Sequence, residues 1–537
     1  MTENLFVIHP ADNVGVTLVP RGEVPAGHKI ALRDIAAGEA VVKYGWPIGT
    51  ASREIRAGEW VHVHNLKSSL EGIEEFEWEE GESACGGTAA SADAPSGAPA
   101  EAQAPVPALD LRGRIFRGFR RDGEGSGAAP GSVVGTPTSV GVRNEVWIIP
   151  TVGCVNDISR EISARSAGFV GGSLGRIVGF THPYGCSQLG GDQAMTLSAL
   201  CGLIRHPNAA GVLVLGLGCE NANIAELKKV LGPYDPERVK FLICQEAGDE
   251  IAEGVELVRG LAERAKRFRR EDCPVSELAV GLKCGGSDGL SGITANPLLG
   301  RFADALCRAG GRALLTEVPE MFGAERLLLR RSADREVFGR AKELMQGFRR
   351  YYLDHGEPIG ENPSPGNLAG GISTLEEKSL GCVQKGGCTP VTGVYGYGER
   401  AAKPGLGLVW GPGNDLVSTS ALCFAGTQLV LFSTGRGTPF GCPVPTAKIA
   451  TNAELAARKS AWIDFDASKV LEAATVDGLS SAAAAGSVSA AAARLSSAAE
   501  LDAAFADYVL RVASGEETRS ERFARSELAI FKDGVIL

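Results

Sequence analysis

The chain lacks the short motifs that usually mark a cofactor site. It has no HExxH and no paired CxxC, so a zinc centre has no local signature. No GxGxxG is followed by an acidic residue, and no GxxxxGK(S/T) occurs, which argues against a nucleotide cradle. Basic runs are missing too. Lys and Arg number 54 against 64 Asp and Glu, a formal net charge of −10, and nucleic acid is excluded as an expected partner because it needs clustered cations. No apolar run is long enough to span a bilayer, which excludes a membrane partner. The first residues, MTENLFVIHPADN, show neither a basic n-region nor an apolar h-region. Export is therefore not expected, and the chain is assigned to the cytoplasm. Histidine is scarce, with seven residues: His9, His28, His62 and His64 near the start, then His182, His206 and His355.

Cysteine is not scarce. There are thirteen, an odd number, and in a cytoplasmic chain they are expected as thiols rather than a disulfide framework. Cys201, Cys244, Cys273, Cys307 and Cys423 sit in apolar, helical or charged-surface contexts and read as small buried hydrophobes. Cys154, Cys186, Cys219, Cys284 and Cys382 each lie in a glycine-rich polar loop and are candidates for chemistry.

A length of 537 residues exceeds one ordinary core and implies about two to four domains. Residues 1–82 alternate short apolar pairs with Gly, Pro and Asp, the pattern of a small all-β module. Residues 83–110 are rich in Ala, Pro, Ser and Gly and read as a flexible linker. From 111 to 357, strand-like runs alternate with helical stretches such as 249–270 and 323–352, which predicts an α/β domain with a mostly parallel sheet covered by helices. The segment 355–375 carries too much Pro and Gly for an element, so a second α/β domain is expected over 358–537. An Ala-rich, low-complexity stretch lies within it at 480–500.

Six strand-like runs end in small polar loops. They are Gly153-Cys154-Val-Asn156, His182-Pro-Tyr-Gly-Cys186, Gly218-Cys219-Glu220-Asn221, Lys283-Cys284-Gly-Gly-Ser287-Asp288, Thr316-Glu317-Val-Pro-Glu320 and Ser433-Thr-Gly-Arg436. Open α/β sheets bind ligands beyond the carboxyl ends of their strands, so these loops are expected to build one site. Thiols, imidazoles and carboxylates together suggest metal-assisted chemistry. Arg436 and Lys448 could pair with a substrate carboxylate.

At these residues the chain resembles the altronate/galactarate dehydratase family of sugar-acid hydro-lyases. The resemblance starts at His9-Pro-Ala-Asp12-Asn13 and Gly27-His28-Lys-Ile and runs through Val142-Arg143-Asn144-Glu145 and the loops above. It is most specific at Cys284-Gly-Gly-Ser287-Asp288-Gly-Leu-Ser-Gly-Ile-Thr-Ala-Asn296 and continues through Leu380-Gly-Cys382 to Thr451-Asn452. It implies an N-terminal SAF-type β-clip module and loss of water from an aldonate or aldarate; for altronate the product would be 2-dehydro-3-deoxy-gluconate. A galactarate dehydratase or a sulfo-lyase acting on sulfolactate, both on the same fold, and a non-catalytic sugar-acid-binding protein are the alternatives. A divalent metal, Fe2+ or Mn2+, is implied, with His9, Cys154, Cys186, Cys284 and Glu317 as the metal pool. An iron–sulfur cluster on Cys154, Cys284 and Cys382 is the competing cofactor. His28 and His182 are the expected acid/base groups, because imidazole titrates near neutral pH, with Lys448 a further catalytic candidate. Arg143, Asn144, Asn221, Ser287, Asp288 and Arg436 are the expected substrate contacts. A homo-oligomer is compatible with this organisation.

Overall fold

The computed structural model describes residues 5–70, 72–78, 108–121, 140–360, 362–471, 488–523 and 526–534. The predicted linker up to residue 107, and residues 480–487 of the low-complexity stretch, lie outside the described residues; the rest of that stretch belongs to helix Val488–Ala513. Among those described, no helix is long and apolar enough to cross a membrane.

The start of the chain folds as expected from its alternating short runs. Strands Leu5–Phe6, Val14–Thr17, Lys29–Ala31 and Trp60–Val61 form one antiparallel sheet, and Ala40–Lys43, Trp46–Ala51 and Leu66–Lys67 form a second. Val14, Ile35, Val41, Ile48, Ile55 and Val61 fill the space between them.

Besides a small antiparallel sheet of Glu271–Pro274, Ile115–Arg120 and Val140–Gly141, the rest is built on two parallel sheets. The first has four strands in the order Arg176–Gly179, Glu145–Pro150, Ala209–Gly216 and Val239–Ile243. Its two central strands are buried at every residue. That explains why they read as continuous apolar runs, since a parallel strand is covered on both faces. Helix Glu250–Ala265 covers one face, its first turn held by the Asp249 side chain. The second sheet has seven parallel strands: Val391–Tyr395, Gly405–Val409, Arg312–Leu315, Ala279–Cys284, Leu429–Thr434, Thr446–Ala450 and Phe465–Asp466. Both neighbours of Ala279–Cys284 come from later in the chain, Arg312–Leu315 on one side and Leu429–Thr434 on the other. The switch point therefore lies beside that strand, and a crevice for a ligand is expected at its carboxyl end.

Two boundaries differ from the expectation. A domain break at 357/358 would cut this sheet, because Ala279–Cys284 and Arg312–Leu315 pair with strands from beyond residue 400. And the Pro- and Gly-rich segment does hold an element. Helix Pro365–Ala369 starts on a Ser364 capping box with proline in its first turn, where the missing N–H costs nothing. Helix Leu375–Cys382 follows, capped by Thr374 and buried along its whole length despite reading LEEKSLGC. A helix so charged is buried only where each charge has a partner.

Candidate functional site

Those partners define the site. Cys284 ends its strand at the switch point, and Cys382 ends the buried helix. Their sulfurs are 3.1 Å apart, and Glu320 Oε2 lies 3.4 Å from Cys284 Sγ and 3.1 Å from Cys382 Sγ. Among the described residues, this is the group of three thiol, imidazole or carboxylate ligand atoms lying within 4.8 Å of one another. Two sulfurs and one carboxylate suit a borderline cation such as Fe2+; Mn2+, which prefers oxygen donors, fits the set less well.

A shell of lysines surrounds the group. Lys385 Nζ donates to Cys284 Sγ at 2.8 Å and to Glu317 Oε2 at 2.9 Å. Lys283 pairs with Glu317 and, at 3.0 Å, with Asp415. Lys378 Nζ reaches Glu320 Oε1 at 2.8 Å and Asn362 Oδ1 at 2.9 Å. Burial alone would raise the Glu320 carboxyl, but Lys378, Lys283 and Lys385 hold it down at about 2, so it is ionised. Burial and the nearby Glu320 push Glu317 upward, against the pull of Lys283 and Lys385. The Cys382 thiol is pushed up by its hydrogen bond with Cys284 and by burial. Glu317 also has φ 69° and ψ 53°, a left-handed conformation rare outside glycine. Such a residue costs about 1–3 kcal/mol, and here its carboxylate is fixed by two ammonium groups and the Cys284 N–H at 3.0 Å.

The β module completes the shell. Lys29 Nζ donates to Glu377 Oε2 at 2.7 Å, Gly371 O at 2.7 Å and Ser373 Oγ at 2.9 Å, while Lys43 Nζ reaches Glu377 Oε1 at 2.8 Å. Burial lowers Lys29 to about 8, and the two lysines bring Glu377 down to about 2 despite its burial. Lys29, Lys43, Lys283, Lys378 and Lys385 thus face Glu317, Glu320, Glu377 and Asp415, leaving one cation in excess. The same segments carry four buried polar atoms with no protein partner: His28 Nδ1, Ser287 Oγ, Thr316 Oγ1 and Ser379 Oγ. Leaving a buried polar group unpaired costs about 1–3 kcal/mol, so these atoms are where a polar, anionic ligand would recover energy.

The chain is 46% identical over 528 residues to an altronate dehydratase of Escherichia coli, covering 98% of this chain and 94% of that protein. It is 46% identical over 530 residues to one of Bacillus subtilis, covering 97% and 94%. It belongs to the altronate/galactarate dehydratase family. Three family models agree: the altronate/galactarate dehydratase SAF domain over residues 16–69, the D-galactarate dehydratase/altronate hydrolase second domain over 136–266, and the D-galactarate/altronate dehydratase C-terminal domain over 275–536. A galactarate dehydratase (L-threo-forming) of Escherichia coli is 32% identical over 485 residues, 85% of this chain and 86% of that protein. The SAF module and the α/β architecture are those of the family.

Against this frame of dehydratase loops, the expected residues divide. Cys284, Glu317, Ser287 and His28 lie on the segments just described. Asp288 stands beside them as a brace: its carboxylate accepts from Thr451 Oγ1 at 2.8 Å, Asn452 Nδ2 at 2.9 Å and Ser291 Oγ at 2.9 Å. Arg436 is exposed and packs its stem on Gly286. Lys448 is buried and lies over the rings of Phe432, at 5.1 Å, and Phe440, at 5.7 Å; Lys283 lies over Phe432 at 5.9 Å. Burial lowers Lys448 to about 8. Its ammonium donates to the Phe440 carbonyl.

Arg143 and Asn144 are elsewhere. They precede the strand Glu145–Pro150 at its amino end, roughly 20 Å from its carboxyl end at the usual rise. Arg143 is bound by Glu521 at 2.7 Å and by the carbonyls of Val142, Val512 and Glu516. Asn144 ties together Ser173, Ala265 and Arg121. Both hold structure and have no donor left for a substrate carboxylate. His182 is likewise committed: Nε2 lies 2.8 Å from Pro150 O, Nδ1 accepts from Tyr184 N at 3.2 Å, and burial lowers it to about 4. A neutral imidazole with both nitrogens engaged is a brace, not an acid or base. His9 is half-buried in the β module, where its Nδ1 accepts from Ala11 N at 3.1 Å. Cys154, Cys186 and Asn221 gather at the carboxyl end of the four-stranded sheet. The expected cluster set of Cys154, Cys284 and Cys382 is therefore divided between two sheets. Sulfurs 3.1 Å apart also suit one shared cation better than ligands to separate irons.

Sequence reasoning missed Glu320 as a member of this group, together with Lys378, Lys385, Glu377, Lys29 and Lys43. One signal was visible. Lysine in the otherwise apolar strand AVGLKC, and three charges in the helix LEEKSLGC, are affordable only in a paired, buried network.

Proposed function

We propose that the chain removes water from D-altronate to give 2-dehydro-3-deoxy-D-gluconate, with Cys284, Glu320 and Cys382 as the ligands of an Fe2+ ion. The observation that carries the substrate assignment is the higher identity to the two altronate dehydratases than to the galactarate enzyme, over almost the whole chain. When bound, the cation supplies Lewis acidity toward a substrate carboxylate or hydroxyl oxygen.

The chain's own groups supply the rest. The reaction needs a base for the C2 proton, charge to steady the enediolate and a proton for the departing 3-hydroxyl. His28 is the base. Burial and Lys29 lower its pKa, so it is neutral at pH 7, and its ring bonds the Ala369 carbonyl while Nδ1 has no partner. That leaves a lone pair on Nδ1. The ammonium groups of Lys283 and Lys385 are fixed and desolvated, so they stabilise developing anionic charge without reorganising. Ser287 Oγ and Arg436 hold the carboxylate.

The test is a 2-keto-acid assay of Fe2+-loaded protein with D-altronate, galactarate and sulfolactate. Altronate is expected to be turned over fastest. Preferential turnover of galactarate or sulfolactate, or binding of altronate without turnover, overturns the reading.

A further inference from the structure

The four-stranded sheet carries a second group of thiols that the proposed chemistry does not use. Cys154 follows the strand Glu145–Pro150, Cys186 follows Arg176–Gly179 and Cys219 follows Ala209–Gly216. The strand leading to Cys154 lies between the other two, so three neighbouring strands deliver three thiols to one sheet edge. Cys154, Cys186 and Cys219 are exposed, and among the described cysteines only Cys388 joins them in that class.

The loops are locked to one another. Gly153 N donates to Tyr184 O at 2.9 Å, Ala222 N to Gly185 O at 3.0 Å and Ser187 N to Asn221 Oδ1 at 2.8 Å. Glu220 ties the third loop to the first, accepting from Thr151 Oγ1 at 2.5 Å and from the N–H groups of Leu217 and Gly218. Each cysteine follows a glycine, and two of those glycines explain the close approach. A Cβ on Gly185 would collide with the Thr151 carbonyl, and one on Gly218 would meet Gln245 Oε1. Ser187, just after Cys186, holds a positive φ of 56°. The buried Gln188 Nε2, two residues from Cys186, has no protein partner.

We propose that Cys154, Cys186 and Cys219 together bind a cuboidal iron–sulfur cluster, three of whose irons take protein thiolates while the fourth stays open to an oxygen ligand. Spacing selects a cluster over a single ion. Three thiolates on one cation at about 2.3 Å would crowd together. Yet these three are not among the ligand groups lying within 4.8 Å of one another, where Cys284, Glu320 and Cys382 are found. A cluster carries each thiolate on a separate iron and needs the wider spacing. Gln245 Nε2, 3.5 Å from Cys219 Sγ, and Ser187 Oγ, 3.7 Å from Cys186 Sγ, supply the polar contacts to sulfur that tune such centres.

The experiment is anaerobic reconstitution of the full chain with ferrous iron and sulfide, read by acid-labile sulfide, iron content and visible absorbance. Wild type is expected to take up about four sulfides per chain and a broad brown absorbance. The Cys154→Ser, Cys186→Ser and Cys219→Ser triple variant should lose both, and Cys284→Ala should keep both. Because the three thiols are exposed, the triple variant should fold, which circular dichroism checks; the three single variants provide the same readout if it does not. Wild type without labile sulfide overturns the proposal. So does a chromophore that survives in the triple and single variants, or iron or zinc bound at these thiols without sulfide.

Discussion

Both parallel sheets end in cysteine-bearing loops, yet the two ends treat cysteine in opposite ways. At the seven-stranded sheet, Cys284 and Cys382 are buried and surrounded by fixed lysines and carboxylates. At the four-stranded sheet, Cys154, Cys186 and Cys219 face solvent, and their loops are held by backbone and side-chain hydrogen bonds, to which Glu220 contributes the carboxylate. Strand topology places a potential site at each carboxyl edge. What sets the chemistry is the environment built around that edge. Charge in a low-dielectric setting acts strongly and is costly to disturb, whereas exposed thiols are accessible and cheap to alter.

The largest expected effect comes from breaking the charged end. Glu317→Gln leaves Lys283 and Lys385 without their shared carboxylate. Removing one member of a buried charge network costs about 3–5 kcal/mol, so chemical denaturation should show a loss of that order together with loss of turnover. Stability within about 0.5 kcal/mol of wild type would mean that water reaches the group, and the contrast between the two ends would fail.

His28→Asn is the next effect in size and separates chemistry from stability. Asparagine keeps a polar group beside Ala369 but cannot accept a proton near neutral pH. The turnover number is expected to fall about 10²–10⁴-fold, the usual contribution of a general base, with the unfolding midpoint little changed. An unchanged turnover number removes His28 from the reaction.

His182 tests the neutral end. Its folded pKa of about 4 lies below the ordinary 6.5, so the unfolded chain binds the extra proton first as acid is added. The stabilising contribution is complete above pH 6.5 and is lost as pH falls toward 4, by about 3 kcal/mol across the window. His182→Asn should flatten the acid limb of the stability profile between those values. A limb identical to wild type would show that the imidazole is not held neutral.

The sequence made the sheets legible and the pairings less so. Glu145–Pro150 and Ala209–Gly216 were visible as apolar runs because parallel strands are covered on both faces. Helix Pro365–Ala369 was hidden because its proline and glycines lie at the ends of a short element, where they are tolerated. Cys284 and Glu317 stood out as polar residues at strand ends. His182 and Arg143 stood out equally and proved to be braces, since only the three-dimensional partners, Pro150 and Glu521, distinguish an engaged group from a free one. Glu320, Lys385 and Lys378 meet across segments roughly sixty to a hundred residues apart. No local spacing could have announced that meeting.

Arg436 gives the smallest and sharpest test, because it shares one property with each end. It is exposed like the thiols of the four-stranded sheet, yet it rises from the loop after Leu429–Thr434, beside Gly286 and the charged centre. If exposure decides the cost of a change, Arg436→Ala should leave stability within about 0.5 kcal/mol of wild type. If location decides the function, the same variant should raise KM for the sugar acid about tenfold, some 1.4 kcal/mol of lost carboxylate binding, with kcat nearly unchanged. Lysine at this position should recover part of the loss, since it restores the charge but not the two-pronged geometry. A drop in kcat at constant KM would instead place Arg436 on the transition state, and no change in either would leave Ser287 and the buried lysines as the holders of the carboxylate.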